Sequence, residues 1–154
     1  MALQSTVNQK LAFGVVGSFY DDSPRSVAPY TVESGAIGLF YTVDPADPTK
    51  VKLGGTGVLA GIAVNSKEYP IYGLDASLNF KAGAVAQIAR MGHIIVKSST
   101  AIAVGNAAFY NTTTGEIQAG TPAGSVPGCV EIPNSEFLFV TGAANEVGVL
   151  EIKL

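Results

Sequence analysis

Two side chains open the question of chemistry: Cys129 and His93, the only cysteine and the only histidine in the chain. A thiol becomes a nucleophile when an imidazole takes its proton, so these residues define the one Cys–His pair available. Nothing in their spacing joins them. Gly128-Cys-Val-Glu-Ile132 reads as the start of a buried strand, where a thiol is inert packing, and His93, between Gly92 and Ile94, reads as a structural residue at a strand end. One Cys and one His also exclude an internal disulfide and a multi-histidine metal site.

Carboxylates come next. Asp21-Asp22 and the pair Asp44 and Asp47 have the spacing to hold Ca²⁺ or to act as acid and base, yet both sit beside prolines, where aspartates cap turns. No metal and no cofactor is therefore expected. Gly55-Thr-Gly-Val-Leu-Ala60 fits the G-x-G-x-x-A fingerprint of dinucleotide binding, which requires a following helix. The residues that follow, Gly61-Ile-Ala-Val-Asn65, read as strand, so a tight turn is expected instead. Asn111-Thr-Thr has the glycosylation pattern and is read as a turn. Gly73-Leu-Asp75 resembles the uracil pocket of trimeric β-rich dUTP hydrolases, but the phosphate-binding motifs of those enzymes are absent.

The elements that would have to position such groups follow from composition. The chain has 154 residues, 47% hydrophobic and only 14% charged, against a usual charged share of about 25%. Such a chain collapses rather than staying disordered, and it is long enough to build one core. Nine Lys and Arg against twelve Asp and Glu give a net charge of −3 with no basic stripe, so nucleic acid is not an expected partner. The low charge predicts a surface partly covered by other subunits. The N-terminus lacks the pattern of a signal peptide, and the longest apolar run, Gly57 to Val64, is far short of the ~20 residues that span a bilayer. A soluble product made inside the cell, with no membrane partner, is the expectation.

Gly and Pro are scattered through the length, and the runs between them are rich in Val, Ile, Phe, Tyr and Thr. This predicts strands near Leu11 to Val16, Pro29 to Val32, Ile37 to Val43, Lys50 to Leu53, Val58 to Val64 and Ala84 to Ala89. Further strands are predicted near His93 to Lys97, Ala107 to Tyr110, Glu116 to Gln118, Cys129 to Ile132, Glu136 to Val140 and Val147 to Leu154. Their number and spacing predict an all-β sandwich or barrel. Gly115 should close a hairpin with positive φ. In Glu136-Phe-Leu-Phe-Val140 both parities are apolar, which predicts a strand covered on both faces. Val147 to Leu154 alternates at its end, with Leu150, Ile152 and Leu154 facing one way and Glu151 and Lys153 the other, which predicts a half-exposed strand. Residues 1–10 are too polar for core and are read as an arm, leaving 11–154 as one β domain.

Four segments together resemble the structural cement, or decoration, proteins of tailed bacteriophages: Leu11-Ala-Phe-Gly-Val-Val-Gly17, Asp21-Asp-Ser-Pro-Arg-Ser-Val-Ala28, Ile37-Gly-Leu-Phe40 and Gly54-Gly-Thr-Gly-Val-Leu-Ala-Gly-Ile-Ala-Val64. Asn106-Ala-Ala-Phe-Tyr110 and Thr114-Gly115 add to the likeness. The resemblance implies a jelly-roll-like β domain with no catalytic residues, made in the host bacterial cytoplasm. It would oligomerise on the outer capsid surface, a dimer before a trimer, and bridge major capsid protein subunits. Leu3, Val7, Phe19, Tyr20, Pro24, Arg25 and Tyr30 are the candidate capsid or subunit contacts. A phage tail or baseplate module, or a lectin-like β-sandwich using exposed tyrosines such as Tyr20, Tyr30, Tyr69, Tyr72 and Tyr110, is the alternative.

Overall fold

A computed structural model describes residues 14–65 and 79–154. Ten strands and no helix occur among them: β1 (Ser26–Val32), β2 (Phe40–Val43), β3 (Lys50–Leu53), β4 (Leu59–Val64), β5 (Ala84–Lys97), β6 (Ala107–Asn111), β7 (Ile117–Gly120), β8 (Cys129–Glu131), β9 (Ser135–Phe137) and β10 (Val147–Lys153). The first five close on themselves in the order β1-β3-β2-β4-β5, with β5 returning to β1. Only the β1–β3 pairing is parallel in this ring. Beyond it the sheet continues through β10 to β9, and β7-β6-β8 form a separate three-stranded sheet. The expected all-β sandwich or barrel is thus present as a closed barrel with an extension and a second sheet packed on it.

Strand alternation sorts the apolar side chains into two cores. Val32, Tyr41, Val51, Ala60, Ala63, Ala86 and Ile88 form one cluster. Phe40, Ile62, Val64, Ala89, Ile94, Val96 and Leu150 pack with Tyr110, Ile117 and Ile132 of the second sheet in the other. Phe40 and Tyr110 stack across that junction, ring centroids 4.3 Å apart. Ala60 and Ile62 have the same parity yet lie in different cores, because Gly61, with φ 139°, sits at a register shift between β2 and β4. A Cβ there would lie 2.1 Å from the Ala89 carbonyl oxygen.

Three strand expectations are corrected. Ala84 to Ala89 and His93 to Lys97 are one continuous strand, because a bulge opposite Ser26 and Val27 absorbs the irregularity at Arg90. His93 is therefore mid-strand. The described part of Leu11 to Val16 is a turn, its Val15 carbonyl accepting from the Ser18 amide, with Gly14 and Gly17 at positive φ. The remainder lies outside the described residues. Strand β9 ends at Phe137, and Leu138, Phe139 and Val140 keep 36%, 36% and 58% of their surface exposed rather than being covered on both faces. Past the Leu138 amide, which still donates to Val149, the chain turns to another partner: the Thr141 amide donates to Ile102, and the Ile102 amide donates to the Thr141 hydroxyl. The hairpin at Gly115 (φ 68°) is as expected, and the end of β10 alternates as expected with Glu151 and Lys153 exposed, but Val149 is buried as well as Leu150, so the first half of the strand is covered on both faces.

Candidate interaction surface

The groups that might have carried chemistry are engaged in holding loops. Cys129 starts β8 as expected but is half-buried, and its Sγ accepts from Gln118 Nε2 at 2.7 Å; His93 lies on β5, in the other sheet. Asp44 accepts the Ala46 amide at 2.9 Å, and Asp47 accepts the Thr49 hydroxyl at 2.6 Å and then the Thr49 amide at 3.0 Å, which holds both carboxyls below their usual range. Asp44 also pairs with Lys52 at 3.1 Å. Among the described residues no three His, Cys, Asp or Glu side chains are grouped to hold a metal ion. The glycine turn before β4 is a packing device: the Gly55 amide donates to Thr112, and its carbonyl accepts from the Tyr110 hydroxyl at 3.0 Å. Burial raises that phenol above its ordinary value. Asn111 caps its turn through the amides of Thr113 and Thr114. Gly73 to Asp75 lie outside the described residues.

What the fold does assemble is a surface over the second half of β5. Residues 17–20 run antiparallel to it: the Gly17 amide donates to Ile95, the Ile95 amide to Ser18 and the Tyr20 amide to His93, with Phe19 bridged to Ile94. Gly92 lets Phe19 lie close, since a Cβ there would be 2.9 Å from its ring. The chain then bulges away as Asp21 to Arg25 before rejoining β5 as β1. Within that loop Asp21 accepts the Ser23 amide at 3.0 Å and bonds His93 Nδ1 at 2.6 Å. Ser23 first, and His93 after it, lower the Asp21 carboxyl to about 2. On the other side of the ring, Nε2 is 3.9 Å from Glu151. Arg25 folds back over the Phe19 ring, 4.9 Å from its centroid.

Register fixes what this surface presents. Ile94, Leu150 and Phe137 pair across β5, β10 and β9 and point into the core with Phe19. Their neighbours therefore point the other way, away from the three-stranded sheet: His93, Glu151 and Glu136 in one row, Ile95 and Val149 in the next. The Leu138 amide donates to Val149, extending the second row. Tyr20 and Phe139 meet edge-to-face at 5.6 Å on this side, and Ile95 and Val149 are buried. Phe19 and Arg25 thus meet through the ring contact, whereas Tyr20 lies on the opposite side of the sheet from Phe19 and Pro24 sits in the loop between Asp21 and Arg25. Tyr30 does not join them, since it pairs with Ala86 further down β5 and packs toward the barrel core. Leu3 and Val7 lie outside the described residues. Sequence reasoning missed Leu138, Phe139 and Val140 as surface; the signal was their unbroken apolar run, read as double burial. A separate cavity of about 170 Å³, lined in part by Val16, Ile37, Leu39 and Ile117, is smaller than the usual ligand pocket of roughly 300 Å³ or more.

No curated protein matches. A chain in the solved structure "The capsid of Myoviridae Phage XM1" is similar in fold, with a TM-score of 0.69 at 18% identity, over 99% of this chain and 98% of that one. The family model described as structural cement protein (E217 gp24/Pam3 gp6) matches residues 3–154. With nearly its whole length accounted for in this way, the chain belongs to the structural cement protein family of bacteriophages and has a capsid-stabilising structural role.

Proposed function

We propose that this protein binds the outer face of a phage shell and bridges neighbouring major capsid protein subunits, acting as a homo-oligomer, a dimer in the first instance and a trimer in the second. The match to the structural cement family over residues 3–154 carries this reading. The work is done without catalysis, cofactor, nucleic acid or membrane: stabilisation comes from surface buried across two capsomers. Lasting contacts of this kind cover at least ~1,200 Å². A subunit already held at one end meets its second site at high effective concentration, so modest contacts add up.

In this reading residues 11–154 are a single β domain and residues 1–10 an arm that reaches the neighbour through Leu3 and Val7. Phe19, Tyr20, Pro24 and Arg25 supply a contact on the body, with Phe19 supporting the guanidinium of Arg25 from below. Tyr30 belongs to a second contact nearer the barrel. The geometry favours this use because residues 17–20 rest on β5 and the Asp21–His93 bond ties the loop that follows, so little order has to be gained on binding.

The test is addition of purified protein to cement-free capsids of its own phage. Saturable, stoichiometric uptake that raises the temperature at which the shells come apart is expected. No uptake, together with glycan binding by the isolated protein, would overturn the reading in favour of a lectin-like module.

A further inference from the structure

We propose that the cavity where residues 36–39 meet the end of β5 and the start of β7 is a socket for one large aliphatic or phenyl side chain of a partner peptide, whose main chain passes between Lys97 and Glu116 at the rim. The partner is the major capsid protein, a choice of source that rests on the function proposed above. Size sets the class of occupant. The cavity holds about 170 Å³ and is partly open to solvent, and an apolar cavity of about 150 Å³ takes a benzene ring. It therefore suits one leucine or phenylalanine side chain and is too small for a nucleotide or a cofactor.

The lining sets the chemistry. Val16, Ile37, Leu39 and Ile117 supply an apolar floor, and of these four only Ile117 is fully buried. The other three keep surface that the fold leaves uncovered, so an occupant gains by covering it. At the rim Lys97 and Glu116 are exposed and opposite in charge, and among the described residues neither is in an ion pair. Glu116 accepts only a long hydrogen bond from the Thr114 hydroxyl, at 3.4 Å. A peptide bond carries one donor and one acceptor and so matches a rim of both signs, whereas a free anion or cation matches half of it. The walls are set in advance. A Cβ on Gly17 would collide with Ile37, and one on Gly38 with Val16, so the two pairs interlock. The Gly17 amide donates to Ile95, the Gly38 amide to Ala63, the Ser99 amide to Ile117 and the Asn145 amide to Ser98. A side chain entering such a socket orders little, and buried anchors of this kind carry most of an interface's energy. A second copy is the poorer occupant: its exposed large apolar residues, among those described, are valines apart from Tyr20, Leu138 and Phe139, and Tyr20 and Phe139 already pack on each other.

The experiment titrates methyl-labelled full-length protein with N-acetyl-leucinamide, a leucine side chain between two amide bonds, and with N-acetyl-alaninamide as the short control. The leucine probe should move the methyl signals of Val16, Ile37, Leu39 and Ile117, saturating with a dissociation constant on the order of millimolar, and leave those of Val32 and Val51 in place. Val16→Phe fills the socket from its own wall. It should abolish the shifts at the other three residues, keep the melting temperature, and cut uptake on cement-free capsids by at least about tenfold. If Val16→Phe fails to fold, Ser99→Leu takes its place. Absence of shifts at the floor residues would overturn the proposal, and so would an equal response to the alanine control. Uptake of the filled variant at the wild-type level would overturn it too, whether or not self-association is lost, because the occupant would then not be the shell protein. Saturable shifts with no uptake of the wild-type protein would uphold the socket and overturn the bridging role.

Discussion

Asp21 is the residue on which the 17–25 segment turns. Its carboxyl is lowered from 3.8 to about 2 by Ser23 and His93, so the folded state holds it ionised more firmly than the unfolded chain does. A depressed carboxyl contributes stability that is complete above its unfolded value and disappears as pH falls through the folded one. The melting temperature of Asp21→Asn should therefore lie below that of the wild type at pH 7, and the gap should close between about pH 4 and pH 2. A gap that persists at pH 2 would assign the effect to the side-chain amide and not to charge. Cys129→Ser makes the opposite case: a serine hydroxyl can still accept from Gln118, so unfolding should change by less than about 1 kcal/mol and capsid uptake not at all. The turn-capping role of Asp21 could be read from the sequence, since Asp-x-Ser is a local pattern. Its partner His93 is 72 residues away, and no local pattern reports that.

Among the elements, β4 carries the sharpest constraint. Gly61 at φ 139° leaves no room for a side chain beside the Ala89 carbonyl, so Gly61→Ala must either break the register with β5 or push the two strands apart. A loss on the order of 3 kcal/mol is expected in denaturant unfolding, with little change in slope. A Gly→Ala change at Gly83, where positive φ is the only obstacle, should cost less. The position of β4 was legible from the apolar run Gly57 to Val64, but within that run Gly61 looked like one small residue among several. The strand at Glu136 failed for a related reason. Alternation tells which parities are apolar, and both were, but it does not tell whether β10 or the segment from Ile102 to Asn106 wins the backbone. The Leu138 amide still bonds Val149 of β10 and only the Thr141 amide passes to Ile102, so the chain leaves the sheet between them with Leu138 to Val140 at the surface.

At the scale of the molecule, removing Met1 to Gln9 should reduce occupancy on cement-free capsids many-fold while leaving the melting temperature of the free protein in place. Leu3 and Val7 would each lose on the order of 1.5 to 3 kcal/mol if fully buried on a neighbour, less the cost of ordering the arm. A large fall in melting temperature would assign the segment to the β domain, and unchanged occupancy would show that it makes no contact. All-β architecture was readable from strand count and spacing, and the structural role from the segments that resemble the structural cement family. Closure of the barrel was not, because β1 and β5 meet across more than fifty intervening residues. That pairing has a kinetic meaning. Strand β5 gives its first half to the ring and its second half to β10, so neither unit can complete itself before the other has its backbone in place. The protein should refold in a single slow phase, on the order of milliseconds to seconds, and unfold without a half-dismantled form. A subunit of this kind is either whole or absent from its post.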